Sequence, residues 1–236
     1  MTHTATPLAM IALTATLALG AAQPADVKGH EFTKPYRPSQ CTFATTGRTP
    51  YFVLEPGYTL VLRNTKRDEL TVTVLDRTEV VGDVTTRVVE ERHTEGNVLV
   101  EVSLNYFAIC AENKSVYYFG EAVDNYKNGK LANHSGAWRH GSAGAVAGLV
   151  MPSLPLIGAR YYQEVAPGAA MDRAEITSVD DALRTPYGAL DHVLVTRETT
   201  PLEPSVVEFK SYAPGIGLVK DEDMLLVSVT PPRARR

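Results

Sequence analysis

Five side chains near the middle of this chain could do chemistry together. Tyr118, Glu121, Trp138, Tyr162 and Glu164 fall within residues 116–164, a stretch that also holds the only tryptophan. A carboxylate flanked by aromatic rings can bind a cation or work as an acid or base, because burial raises its pKa. Tyrosine and tryptophan faces can stack on an organic ligand. The bland alternatives are a carboxylate making a surface ion pair and rings packed into the core.

His134 and His140 flank Trp138 and are the nearest approach to a metal motif. Imidazole suits zinc, copper or nickel, yet the spacing of the two is not helical and no third strong ligand lies nearby. No cofactor is implied; a metal would rest on His134 and His140, with Glu121 or Glu164 completing the site only through the fold. Alternation puts Glu91 and His93 on one face of a strand, where a surface ladder between strands is the simpler account. Residues 124–129 (Asp-Asn-Tyr-Lys-Asn-Gly) imitate the start of a calcium loop, but Ser135 stands where a bidentate Glu is needed. Ser142 follows Gly141 directly, which is not the Gly-x-Ser-x-Gly elbow of a serine hydrolase.

The elements that must position these groups read as strands. Leu70, Val72 and Val74 alternate with polar residues, as do Val98, Val100, Val102 and Leu104. Gly82-Asp83, Gly96-Asn97 and Asn128-Gly129 separate the runs, and the last is the strongest hairpin signal in the chain. Further strands are expected over 159–165, 174–179, 190–198, 205–212, 217–220 and 224–229. Residues 141–159, rich in Gly, Ala and Pro, read as a crossing loop, and 180–184 as one helical turn. The expectation is a mainly β fold: an antiparallel meander forming a barrel or strongly curled sheet, with little helix.

At 236 residues, 44% hydrophobic and 21% charged, the chain can bury a proper core. A net charge of -4 argues against nucleic acid, which needs clustered Lys and Arg. Residues 8–22 form an apolar run ending in small residues, shorter than the roughly 20 residues of a bilayer span. It reads as a signal peptide, although residues 1–7 carry no Lys or Arg. The division is then 1–22 leader, 23–50 extended N-terminal arm, 51–230 single β-rich domain and 231–236 basic tail. The expected location is secreted or periplasmic, with no integral membrane span after processing. Cys41 and Cys110 could pair in such a compartment, or remain two thiols with Cys110 in the core. The pairing is the reading taken.

Several segments recur in a set order: 117–121 (Tyr-Tyr-Phe-Gly-Glu), 126–130 (Tyr-Lys-Asn-Gly-Lys), Ala137-Trp138, 148–152 (Gly-Leu-Val-Met-Pro), 161–164 (Tyr-Tyr-Gln-Glu) and 209–217 (Phe-Lys-Ser-Tyr-Ala-Pro-Gly-Ile-Gly). Over roughly residues 51–229 this resembles a group of exported bacterial β-rich proteins without an assigned function. The resemblance implies export and a single β domain, and it transfers no catalytic residue.

Three functions remain open from sequence. The first is an exported domain binding a small or amphipathic ligand through Tyr118, Glu121, Trp138, Tyr162 and Glu164. The second is a hydrolase- or lyase-type enzyme using Glu121 or Glu164 as acid/base, with His140 as an aid. The third is an accessory protein of an envelope complex, meeting a protein partner through a sheet edge or the apolar 151–157 segment.

Overall fold

A computed structural model describes residues 31–33 and 41–232; the leader, residues 23–30 and 34–40 of the arm and residues 233–236 of the tail lie outside the described residues. All eighteen regular elements among the described residues are strands. The short β1 (Phe43–Ala44), β2 (Gly47–Thr49) and β3 (Phe52–Leu54) precede β4 (Thr59–Arg63). Four long strands follow: β5 (Glu69–Val81), β6 (Val84–Glu95), β7 (Val98–Cys110) and β8 (Val116–Lys127). Then come β9 (Lys130–Asn133), β10 (Trp138–Arg139), β11 (Val146–Met151), β12 (Arg160–Tyr162) and β13 (Glu164–Val165). The chain finishes with β14 (Arg173–Arg184), β15 (Ala189–Thr199), β16 (Val207–Ala213), β17 (Gly217–Asp221) and β18 (Met224–Thr230).

Two antiparallel meanders, β4 to β8 and β14 to β18, are joined by a β18–β4 ladder that sets Thr230 opposite Thr59. The result is a nearly closed barrel with one unsealed seam. The seam lies between β12, which pairs with β14, and β13, which pairs with β11. The chain itself crosses it at Gln163, between the two strands. Here β11 comes so close that a Cβ on Gly148 would fall onto the backbone of Tyr162 and Gln163. Thr33 bridges Tyr161 in parallel beside the seam, its N–H donating to the Arg160 carbonyl at 2.9 Å.

Period-two patterning explains the layers. The main core, including Leu54, Leu62, Leu70, Val74, Ile176, Leu194 and Leu226, fills the interior. The opposite face of β6, β7 and β8 carries a second cluster, Val88, Tyr106, Ala108 and Phe119. Phe43 of β1 covers it edge-on at 5.1 Å from Phe119. The Cys41–Cys110 disulfide forms, with Cα atoms 5.1 Å apart, and ties this cover to the end of β7.

Two local readings need correction. Residues 146–151 are not loop but strand β11, between β8 and β13. Its Gly and Ala residues are there because neighbouring backbones pack against it, and both Ala147 and Met151 are fully buried. Residues 180–184 are not a helical turn but the bulged end of β14, paired with β15 through Leu183 and Leu190. β5 runs on through residues 75–77 as a bulge, since Val74 faces Val89 while Thr78 already faces Arg87. Arg87 donates to the carbonyls of Thr45 at 2.9 Å and Leu75 at 3.3 Å, so backbone groups freed by the bulge find a donor.

Candidate functional site

The barrel interior is not filled. A cavity of about 590 Å³ runs between the two meanders. Alternation writes its wall strand by strand. On β7 the inward residues are Glu101, Ser103, Asn105 and Phe107; on β6 they are His93, Glu91 and Val89. Register aligns these rows, with Val89 opposite Asn105, Glu91 opposite Ser103 and His93 opposite Glu101. Along β6 and β7 the inward face therefore runs from acidic to apolar. Phe52, Tyr58, Leu60, Val74, Phe107 and Ile216 form the apolar floor. The β2–β3 hairpin closes it, Phe52 meeting Phe107 edge-on at 5.3 Å.

Tyr118 and Glu121 both line this cavity, although a regular strand would send residues three apart to opposite faces. A bulge reconciles them. Tyr118 pairs with Phe107 and Glu121 with Asn105, so Phe119 and Gly120 together oppose Tyr106 alone. Gly120 carries the bulge at φ +145°, and a Cβ there would stand 2.5 Å from the Trp138 carbonyl oxygen. Glycine is the residue that fits. Tyr118 stacks on Phe107 at 4.8 Å and donates its hydroxyl to Asn105 Oδ1 at 2.5 Å.

Carboxylates dominate the polar half. Glu91, Glu101, Glu121, Glu164, Asp172, Glu198, Glu208, Asp221 and Glu222 line it, against Lys210 and His93. Burial, then the charge of Glu91, pushes the Glu121 carboxyl up to about 8. Burial pushes Glu91 up to about 7 despite the opposing pull of Lys210. Glu164 is raised well above the usual range by burial and by Asp172. The Asp172 N–H, donating to Glu164 at 2.5 Å, only partly offsets this. Lys210 is held strongly protonated by Asp221 and Glu198, and its Nζ stands 3.3 Å from Glu198. Glu198 also accepts from the Thr196 hydroxyl at 2.9 Å.

Of the five residues singled out in the sequence, Tyr118, Glu121 and Glu164 line the lumen. Trp138 stands one ring behind it, buried with Ala145 and Ala166 and edge-on to Tyr118 at 5.2 Å. Tyr162 is half-buried at the seam, 5.7 Å from Phe32. His134 is exposed and lies beside the Val123 carbonyl at 2.8 Å and Asp124 at 2.9 Å. His140 packs on Phe119 and accepts the Ala147 N–H at 3.0 Å, with burial lowering its pKa. It belongs to the outer layer and does not converge with Glu121 and Glu164. Among the described residues the ligand-type cluster is Cys41, Cys110 and Glu112, whose sulfurs are joined to each other.

Glu91 was read as part of a surface ladder, and it faces the lumen instead. Its phase gave a signal, since Val89 and Glu91 share a face. Lys210 and Glu208 share a face with Tyr212 in the same way, within a segment read only as a strand.

No protein-family model matches the chain, and no curated protein does. Among solved structures it is similar to a protein provisionally designated a lipoprotein from Parabacteroides distasonis. The identity is 13%, with 78% of this chain and 100% of that chain covered, at a TM-score of 0.37.

Proposed function

We propose that this protein is an exported β-barrel module that holds a small amphipathic ligand in its lumen. The observation that carries the reading is the 590 Å³ cavity, lined by both apolar side chains and buried carboxyls. Ligand sites are concave, mostly apolar and fitted with a few oriented polar groups, and this volume lies within their usual range of about 300–1,000 Å³. Tyr118, Glu121 and Glu164 supply wall groups. Trp138 stands behind Tyr118 as support and reporter, and Tyr162 flanks the seam. The disulfide supports an extracytoplasmic location, as does the apolar run at residues 8–22.

The test is saturable binding of a neutral fluorescent probe, N-phenyl-1-naphthylamine, to the purified mature protein at neutral pH. One probe per chain is expected, together with a change in Trp138 emission. Val72→Trp, which adds bulk to the lumen wall, should abolish it while the folded β spectrum is kept. Binding that never saturates, or that survives in both Val72→Trp and Val89→Trp, would sink the reading.

A second reading has one observation behind it. Glu121 and Glu91, pushed up to about 8 and about 7, are suited to proton transfer near neutral pH. It makes the lumen the active site of a hydrolase- or lyase-type enzyme with Glu121 as acid/base. Turnover of ester, glycoside or uronate substrates that Glu121→Gln abolishes would favour it over binding alone.

A further inference from the structure

We infer that the polar half of the lumen is a site for an organic cation, receiving the ammonium head of an amphipathic amine whose tail lies on the Phe52–Phe107 floor. This rests on the lumen-binding reading above and names the ligand class for it.

The first support is the hydrogen-bond inventory of the wall. Glu91, Glu121, Glu164 and Glu198 offer acceptor oxygens, whereas the lysine of the wall, Lys210, is already engaged by Glu198 at 3.3 Å. An ammonium brings three donors and no acceptor, which complements such a wall; a carboxylate or phosphate would bring only more acceptors and the same sign of charge.

The second support is independent of the carboxylates. Tyr161 is 3% exposed, and its hydroxyl has no hydrogen-bond partner. Register fixes its direction. Tyr161 pairs with Ala174, Ala174 with Glu198 and Glu198 with Glu208, so the row shares one face, and the two glutamates of that row line the lumen. A buried hydroxyl left unpaired costs about 1–3 kcal/mol. Tyr161 packs in the core beside this lining, and its unpaired oxygen can accept an ammonium N–H.

The third support is the floor. A bare divalent ion would use the oxygens and leave Phe52, Leu60, Val74 and Phe107 without a role; an alkylamine uses both ends. Along β7 the distance from Phe107 to Glu101 is six residues, or about 20 Å, enough for an extended chain of moderate length. The electrostatics agree. Glu121 faces Glu91, Glu101, Asp172 and Tyr118, and Glu91 faces Lys210, Asp221, Glu101 and Glu198. Without a further cation these carboxyls hold protons near neutral pH, so an arriving ammonium ionises them and expels the protons.

The test uses three matched probes, decylamine, decanol and decanoate, titrated at pH 8 into the mature protein below their micelle-forming concentrations. Trp138 emission and calorimetry supply the readout. Decylamine should bind about tenfold or more tighter than decanol, and decanoate weaker than both. Glu121→Gln, Glu91→Gln and Tyr161→Phe should each weaken decylamine several-fold more than decanol. Moving from pH 8 to pH 5 should weaken decylamine alone. Decanol or decanoate binding as tightly as decylamine would overturn the cation site while leaving lumen binding intact. Calcium chloride binding at micromolar levels, lost in Glu121→Gln, would overturn it in favour of a metal. Failure of all three amphiphiles to bind would bring down the lumen-binding reading and this proposal with it.

Discussion

Glu121 and Glu91 hold their protons in the folded chain far above the pH, about 4.3, at which an unfolded glutamate releases one. Their folded values are about 8 and about 7. Between those limits the folded state binds more protons than the unfolded state, so stability must fall as pH rises. The contribution is complete below about pH 4 and lost as pH climbs through 7 and 8. Thermal denaturation should therefore show a falling Tm from pH 5 to pH 8. Glu121→Gln with Glu91→Gln should flatten that slope and raise Tm at pH 8, by about 2–4 °C for each kcal/mol recovered. A Tm that rises over the same range would contradict this account of the lumen. Lys210 gives the opposite case. Glu198 beside it is buried, so Lys210→Met strands a charge and should lower stability by about 1–3 kcal/mol in a denaturant titration. Little of this was legible beforehand. A carboxylate in phase with Val89 looks the same in sequence whether its face meets water or a lumen, and only closure of the sheet decides. Tyr118 and Glu121 stood out because aromatic and acid lie near each other, not because their spacing places them on one face.

At the scale of elements the bulge in β8 decides the site. Gly120→Ala would press a methyl onto the Trp138 carbonyl in a backbone conformation that L-residues rarely adopt. It should lower stability by about 1–3 kcal/mol. It should also shift Trp138 emission, because Trp138 pairs with Glu121 across the β8–β10 ladder. An unchanged spectrum with unchanged stability would show that the bulge is not held by glycine. The disulfide is a second local device. Cys41→Ser with Cys110→Ser should lower stability by about 2–5 kcal/mol. The loss should fall first on the β1 cover, read as faster amide exchange at Phe43 and Phe119 than in β15 and β16. Strands and hairpins were legible wherever apolar and polar residues alternate, as in β5 and β7. β11 was not, because a strand enclosed between close backbones is written in Gly, Ala and Val, the same letters as a flexible loop. The end of β14 was not, because Asp180 and Asp181 in a bulged strand resemble the start of a helix.

Across the whole molecule the ladders are uneven. β5, β6, β7 and β8 are long and paired along most of their length, whereas β12 and β13 at the seam have two or three residues each. Amide exchange should be slowest in the first group and fastest at Arg160–Tyr162, where opening gives the shortest way into the lumen. Saturation with a lumen ligand should slow exchange at the seam; slowing confined to distant turns would argue against entry there. The closure of the sheet has one more consequence, in time rather than in space. Strand β4 finds its second neighbour in β18, and residues 224–230 are among the last described in the chain. Each hairpin from β4 to β8 can form as soon as its own residues emerge, but the ring cannot close on any shorter piece. Closure must therefore wait for β18, and until that strand arrives the two meanders remain open sheets, with the far edge of β4 still unpaired.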